Sequence, residues 1–249
     1  MKPGRSVRRE SPHVTGILAR LFIACADSNE RAGLRRGQSG ENSCNMFSMT
    51  TWTAKTVGMN GDILERMERA VLKVRERLLR STSALNELGV PYAVVGGNAV
   101  ASWVATVDEG AVRTTRDVDL LVRRSDLPAI TVAFEQIGFV YDNISGIEMF
   151  RDGIDGKPSD AIHLLFAGEM TRPDHLLPAP EIETVDDSAH FRVIALESLL
   201  SMKLMSNRRK DQVHIQDLIG VQLIDESWLA NLPPILAARL QQILDTPDL

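Results

Sequence analysis

Two aspartates in the first half of the chain are spaced for joint chemistry. Asp117 and Asp119 stand at the start of an apolar run that ends at Val122. Alternate residues of a β-strand point to the same face, so the two carboxylates would lie about 7 Å apart along the backbone and repel each other. A hard divalent cation removes that repulsion, and Mg²⁺ characteristically binds one or two carboxylates together with phosphate oxygens. The pair predicts a magnesium site, with two solvated aspartates at an exposed strand end as the alternative.

A glycine pair lies upstream, at the junction of a predicted strand and a predicted helix. Gly96 and Gly97 lack a Cβ atom, so a phosphate could approach the amide N–H groups of a helix that begins at Asn98. Taken alone, two glycines are more typical of a tight turn. The chain contains no G-x-G-x-x-G motif and no Walker motif, which argues against a dinucleotide-binding or P-loop site.

The apolar periodicity predicts the elements that must hold these residues. A three- and four-residue period from Gly61 predicts a helix that ends at Gly89. Further helices are predicted over residues 98–105 and 127–137, and strands over residues 92–95, 117–122, 148–151, 161–166 and 191–194. This order indicates an α+β fold, with a small mixed β-sheet that carries helices.

Three helical patterns predict a C-terminal helical appendage to that sheet. They cover residues 196–205, 212–221 and 235–244. We therefore divide the chain into an arm at residues 1–58, an α+β domain at residues 59–194 and a helical region at residues 195–249. Much of the arm is rich in Arg, Ser, Gly and Asn without a sustained period, which predicts a disordered segment or one that precedes the native start.

The composition limits the classes of partner and compartment. A net charge of -5 gives no sequence-wide basic field, which argues against tight binding to long nucleic acid and leaves short contacts open. Cys25 and Cys44 cannot make a disulfide framework, so we expect a reducing, cytoplasmic compartment. Arg20 interrupts the apolar run at residues 17–26, which falls short of the roughly 18 to 20 residues of a membrane-spanning helix. We expect no membrane partner and disfavour a signal peptide.

The glycine and aspartate motifs together resemble a known superfamily. Val-Val-Gly-Gly-Asn-Ala over residues 94–99 and Arg-Thr-Thr-Arg-Asp-Val-Asp-Leu over residues 113–120 resemble the DNA polymerase beta-like nucleotidyltransferase superfamily. The Arg-x-Thr-x-Asp-x-Asp form is most similar to the bacterial nucleotidyltransferases grouped with AbiEii-type toxins. The resemblance covers about residues 90–167, with a looser match around Lys203.

The resemblance implies a nucleotidyltransferase fold and a defined reaction. A nucleoside monophosphate would pass from an NTP to an acceptor hydroxyl on RNA, a protein or a small molecule, with release of pyrophosphate. By matching positions, Asp117 and Asp119 would hold two magnesium ions. The residues implied to contact the nucleotide are Gly96, Gly97, Arg113 and Thr115.

The third carboxylate of that superfamily is ambiguous in this chain. The strand at residues 161–166 has His163 in the matched position, and Asp160 lies three residues earlier. In a regular strand these two side chains face opposite sides, so only one points at the metals unless a bulge intervenes. We expect Asp160 to be the third metal ligand or the general base. His163 suits a general base better than a Mg²⁺ ligand, and a core histidine is the alternative.

Cationic residues beyond residue 200 are candidates to bind the triphosphate. Lys203 is the main candidate, and the alternative is a surface lysine whose stem packs along apolar neighbours. Residues 208–210 are predicted to form an exposed turn, with Asp211 capping the next helix. His214 and Asp217 share a helical face, but without a third ligand they do not predict a zinc site.

Two classes of function fit these residues. The first is an active, magnesium-dependent nucleotidyltransferase with an NTP as substrate. The second is a non-catalytic relative that binds a cognate partner protein, as in a toxin–antitoxin pair, and His163 in place of a carboxylate would be its signature. Whether Asp160 can reach the metal site separates the two.

Overall fold

The computed structural model describes residues 59–173, 175–185 and 190–246. The predicted arm at residues 1–58 lies outside this part of the chain. The helices are α1 (Met59–Leu88), α2 (Gly96–Ala105), α3 (Leu127–Gln136), α4 (Leu196–Ser206), α5 (Arg209–Gly220) and α6 (Pro234–Leu244). The strands are β1 (Tyr92–Val95), β2 (Val118–Val122), β3 (Phe139–Ile144), β4 (Ile147–Asp152), β5 (Ile162–Phe166), β6 (Thr184–Val185) and β7 (Val193–Ile194).

The strands form one mixed sheet in the order β3-β4-β5-β2-β1-β7-β6. At its centre, β2 is parallel to β5 and antiparallel to β1. The predicted α+β class, the small mixed sheet and the C-terminal helices are confirmed. Two strands were not predicted. One is the two-residue β6, and the other is β3, which forms a hairpin with β4 across Ser145 and Gly146.

Two hydrophobic cores lie on opposite faces of the sheet. The front core joins α2, α4, α5 and α6 to Ala93, Val95 and Leu121. The back core joins α1 and α3 to the alternate strand residues, among them Val94 and Leu120. Because side chains alternate along a strand, the odd-numbered positions of β2 face the front. The two aspartates of the predicted metal site therefore lie on the side covered by the C-terminal helices.

The C-terminal helices begin close to their predicted positions and pack directly on the sheet. They share the front core with α2, and Trp103 and Trp228 pack against that core. The predicted turn at residues 208–210 is wrong for two of its residues, because Arg209 and Lys210 already belong to the first turn of α5. No helix within the described ranges is long and apolar enough to cross a bilayer.

Candidate active site

Three ligand-bearing side chains meet on the front face at the start of β2. In the strand register, Asp119 lies opposite Val95 of β1 and opposite His163 of β5. One ligand atom from each of Asp117, Asp119 and His163 lies within 4.8 Å of the others. The side chains are partly buried, with 25% of Asp117, 21% of Asp119 and 22% of His163 exposed. These three residues, the acidic cluster below, are the one group in the described chain that is spaced to hold a metal ion.

Asp117 is held in place by its neighbours. The hydroxyl of Thr115 donates a hydrogen bond to Oδ1 of Asp117 at 2.6 Å, and the side-chain amide of Asn98 donates to the backbone carbonyl of Asp117 at 2.9 Å. Lys210 Nζ lies 4.0 Å from Oδ2. Burial acts to raise the pKa of Asp117, but the bond from Thr115 and the charges of Lys210 and His163 outweigh it and leave the pKa below its ordinary value. Asp117 is therefore an oriented, ionised carboxylate at neutral pH.

The glycine pair allows the acidic cluster to lie directly against the first turn of α2. Gly96 has a φ of 68°, and a Cβ atom there would lie 1.9 Å from Oδ2 of Asp119. A Cβ atom on Gly97 would lie 2.9 Å from Cβ of Thr115, the residue that holds Asp117. The N-cap residue, Val95, has no side-chain acceptor for the first amides of α2. The positive end of a helix is thus left next to Asp119, in an arrangement suited to an anion.

His163 is held between two acceptors. Its Nδ1 lies 3.4 Å from Oδ1 of Asp119, and its Nε2 lies 3.2 Å from the carbonyl oxygen of Pro158. The contact with Asp119 raises the pKa of His163 above its ordinary value, against the opposing effect of burial. A ring with acceptors at both nitrogens is best satisfied when both nitrogens carry protons. These contacts favour the protonated form of His163, in which it pairs with Asp119.

Asp160 is not brought into the acidic cluster. It ends the short 3-10 turn Pro158–Asp160, and its carboxylate accepts a hydrogen bond from Ser159 at 3.0 Å. Its side chain lines a groove with Arg116 and α1, and the even-numbered residues of β5 that follow it belong to the back core. Asp160 as a third metal ligand therefore stays a prediction that this geometry does not favour, because Asp160 lies in the turn before β5 while His163 lies within β5, beside Asp119.

The donor set fits a hard cation. Asp117 and Asp119 offer carboxylate oxygens from one face, which is the ligand type that Mg²⁺ prefers. His163 is a weaker contributor, since its nitrogens are already paired and imidazole suits softer metals. Two carboxylates leave room in an octahedral shell for the phosphate oxygens of a substrate.

Two motif residues predicted to touch the nucleotide have partners within the protein. Arg113 donates from Nε to Oδ1 of Asp217 on α5 at 2.8 Å, so it ties the loop before β2 to the C-terminal helices. Thr115 holds Asp117, as described above. Lys210, one of the cationic candidates beyond residue 200, lies with its Nζ 4.0 Å from Oδ2 of Asp117. Its closeness to Asp117 follows from its position in the first turn of α5, which packs on the front face. That position depends on the tertiary fold, so the local sequence could not single out Lys210.

Lys203 lies in a second, closed cluster with Asp211, His214 and Arg208. Only 7% of the Lys203 side chain and 1% of the Asp211 side chain are exposed, so the alternative of a surface lysine is wrong. Lys203 Nζ lies 3.2 Å from Oδ1 of Asp211 and 3.0 Å from Nδ1 of His214. Oδ2 of Asp211 accepts from the backbone N–H of Arg208 at 3.3 Å and from its Nε at 2.8 Å. Asp211 therefore takes part in capping α5 from its third position, with Arg208 rather than Asp211 as the N-cap residue, and it also neutralises a buried lysine.

The closed cluster has perturbed ionisation. Burial acts to raise the pKa of Asp211, but Arg208 and Lys203 lower it to about 2. Burial lowers the pKa of Lys203, against the opposing effect of Asp211. Burial, together with the charge of Lys203, lowers the pKa of His214 to about 4. At neutral pH the cluster contains an ionised Asp211 and a neutral His214 that accepts from the lysine.

Among known proteins, the chain is similar only to some solved structures. No protein-family model and no curated protein matches the chain. It is similar to the antibiotic-resistance factor ANT(2'')-Ia at 11% identity and a TM-score of 0.40, over 73% of this chain and 92% of that chain. It is similar to an antigenic nucleotidyltransferase-like protein from Paracoccidioides brasiliensis at 19% identity and a TM-score of 0.41, over 71% and 88% of the two chains. It is also similar to the lincosamide antibiotic adenylyltransferase LnuA at 11% identity and a TM-score of 0.40, over 66% and 98%. Likeness of this degree carries no conclusion about function, which must come from the site.

Proposed function

We propose that this protein transfers a nucleoside monophosphate from a magnesium-bound nucleoside triphosphate to an acceptor hydroxyl. One observation carries the proposal. Asp117 and Asp119 share a face and lie against the start of α2, where Gly96 leaves no room for a side chain. Carboxylates beside helix amide donors suit a cation-bound polyphosphate. The resemblance of the two sequence motifs supports the same assignment.

In the proposed reaction the acceptor oxygen forms a bond to the α-phosphorus. The bond from the α-phosphorus to its bridging oxygen breaks, and pyrophosphate leaves with the electron pair. Magnesium held by Asp117 and Asp119 would offset the charge on the reacting phosphates. The amides of α2 and the ammonium of Lys210, 4.0 Å from Asp117, would orient the triphosphate.

The proton of the acceptor hydroxyl needs a base, and His163 is the candidate on the front face. Its raised pKa comes chiefly from Asp119. When the charge of Asp119 is offset by a cation, this cause is removed and the ring becomes neutral more readily. A neutral His163 can then accept the proton.

The experiment that tests the proposal uses each of the four NTPs labelled at the α-phosphate. The full-length protein is incubated with one NTP, Mg²⁺ and a cell extract, and the products are separated into RNA, protein and small molecules. We expect label in one fraction, with matching release of pyrophosphate, and neither product with Asp117→Asn or Asp119→Asn. Labelling that persists in both variants would remove the acidic cluster from the mechanism.

A second candidate is a non-catalytic protein that binds a cognate partner, and the pairing of His163 with Asp119 favours it. By the resemblance of the sequence motifs, His163 stands at the position at which the superfamily has its third carboxylate. Calorimetric binding of Mg-NTP by wild-type protein, with no label transfer and no pyrophosphate in any fraction, would favour this candidate. A cytoplasmic location and a role in a bacterial toxin–antitoxin pair stay predictions.

A further inference from the structure

A row of cations follows one side of α1, on the opposite side of the sheet from the acidic cluster. Arg66, Arg69, Lys73 and Arg77 are spaced by three, four and four residues, which places them on one helical face. At 1.5 Å per residue the row extends over about 16 Å. These side chains line a groove of about 330 Å³. The remaining lining residues are Ala70, Val74, Arg116 and Asp160.

One of these cations is buried and only partly satisfied. Arg77 is 5% exposed, and its Nη1 donates to the carbonyl oxygen of Arg116 at 3.1 Å. Its Nε is buried and has no hydrogen-bond partner among the described residues. The same Nε lies 3.6 Å from Oδ2 of Asp152, which is an ion pair beyond hydrogen-bond distance. Asp152 therefore offsets part of the charge of Arg77, and the more exposed cations of the row are the ones that face an incoming anion.

The groove concentrates positive charge in a chain that is acidic overall. It is lined by five cationic side chains and one carboxylate, whereas the whole chain has a formal net charge of -5. Arg66 and Arg69 do pair with Asp62 and Glu65. Both are exposed i,i+4 pairs, which contribute little and yield readily to a stronger anion. The groove therefore attracts anions despite the net charge.

We infer that this groove binds the phosphate backbone of a single-stranded nucleic acid. A row of about 16 Å exceeds the needs of one phosphate group and suits successive phosphates along a strand. The back-face position excludes the triphosphate of the reacting NTP as the occupant. Arg116 lines the groove and directly precedes Asp117 in the chain, so the groove and the acidic cluster adjoin at the start of β2. If the groove binds RNA, the acceptor hydroxyl of the proposed transfer belongs to that RNA. This last step rests on the proposed function.

The test compares two double variants of equal charge. Arg69→Gln with Lys73→Gln removes two groove cations. Arg75→Gln with Arg123→Gln removes two exposed cations outside the groove, one of them on the opposite side of α1. Binding of a fluorescently labelled single-stranded RNA of about twelve nucleotides is measured by anisotropy between 50 and 200 mM salt.

We expect the groove variant to bind RNA about tenfold more weakly than wild type, and the control variant to bind like wild type. The slope of log K against log salt should fall by about 1.4 in the groove variant, since each single-strand phosphate contact contributes about 0.7. Arg69→Lys with Lys73→Arg should keep wild-type binding, which shows that charge rather than side-chain packing is responsible. An equal loss of RNA affinity in the groove and control variants, or no loss in either, would contradict RNA binding in the groove. Displacement of RNA by tripolyphosphate at the same phosphate concentration would also overturn it, in favour of a small-anion site.

The groove and the proposed function can fail separately. Asp117→Asn, which leaves the groove intact, should bind RNA like wild type. If RNA binding depends on the groove cations but the protein never releases pyrophosphate, the proposed transferase activity is wrong and the proposed RNA site stands. If the protein shows magnesium-dependent transfer but the groove variant binds RNA like wild type, the proposed transferase activity stands and the proposed RNA site is wrong.

Discussion

Two charged clusters lie on the same side of the sheet, and they differ in how completely their carboxylates are paired. In the closed cluster, Asp211 is 1% exposed and takes hydrogen bonds from both Lys203 and Arg208. In the acidic cluster, Asp117 and Asp119 are partly exposed, and their side-chain ion-pair contacts are with Lys210 at 4.0 Å and with His163 at 3.4 Å. The protein thus supplies a complete set of partners for the carboxylate of the closed cluster and an incomplete set for the two carboxylates of the acidic cluster.

This difference separates structural from ligand-binding use of the same residue types. A buried aspartate needs a complete set of partners, because an unpaired buried charge is strongly destabilising. Two adjacent carboxylates with an incomplete set repel each other, and a cation from solution relieves that repulsion. Substitutions in the acidic cluster should therefore affect activity, and substitutions in the closed cluster should affect stability.

The largest effect is expected for Asp119→Asn. The amide keeps the size of the side chain but removes a charged ligand, so magnesium-dependent transfer should fall by about 10³-fold, or roughly 4 kcal/mol. The free energy of unfolding should change little, because the lost repulsion from Asp117 offsets the weakened pairing with His163. Asp155→Asn, an exposed aspartate outside both clusters, is the control. A loss of stability comparable with the loss of activity would contradict the separation of the two clusters.

The second effect is expected for Asp211→Asn, measured by chemical denaturation. Lys203 would stay buried without a carboxylate, so the free energy of unfolding should fall by about 3 kcal/mol. Replacing both partners, as in Lys203→Met with Asp211→Leu, should recover part of this loss because no buried charge remains. If Asp211→Asn were as stable as Asp155→Asn, the closed cluster would not be a structural unit.

The third effect concerns Gly96, with Gly89 as its matched control. Both glycines have positive φ, 68° and 70°, but a Cβ atom on Gly89 meets nothing within 4 Å. Each substitution by alanine should cost about 1 kcal/mol of stability through backbone strain. Gly96→Ala should also displace Asp119 and reduce transfer by about 10²-fold, whereas Gly89→Ala should keep wild-type transfer. Equal activity in the two variants would show that the contact between Gly96 and Asp119 does not matter for catalysis.

Local sequence predicted most of the fold because helices and buried strands carry their own periodicity. The hairpin strand β3 was missed, although Ser145-Gly146 between two six-residue strands is a typical hairpin signal. Strand alternation predicts opposite sides for Asp160 and His163, but Asp160 lies in the 3-10 turn before β5 rather than within the strand. Alternation could not show which side His163 faces, since the pairing of His163 with Asp119 depends on a register between strands distant in sequence. The burial of Lys203 was also unreadable, because a long cationic side chain on a helix is normally exposed.

The smallest effect is a pH dependence of stability that comes from the closed cluster. The pKa of His214 is about 4 in the folded protein, below its ordinary value of 6.5. Between these values the unfolded chain binds a proton that the folded chain does not, so stability is complete above pH 6.5 and falls as the pH is lowered to 4. His214 is only partly buried, and solvent screening reduces the expected loss to about 1 to 2 kcal/mol.

His214→Gln tests the source of this dependence, because its amide oxygen can still accept from Lys203 but does not titrate. Denaturation midpoints between pH 7 and pH 4.5 should show a smaller loss of stability in this variant than in wild type. Asp211, with a pKa of about 2 against an ordinary 3.8, is a depressed carboxylate whose contribution is lost only as the pH falls below about 4. It therefore should not contribute in this window. An unchanged pH slope in His214→Gln would assign the dependence to groups outside the closed cluster, and the contrast between the two clusters would then rest on Asp211 and Lys203 alone.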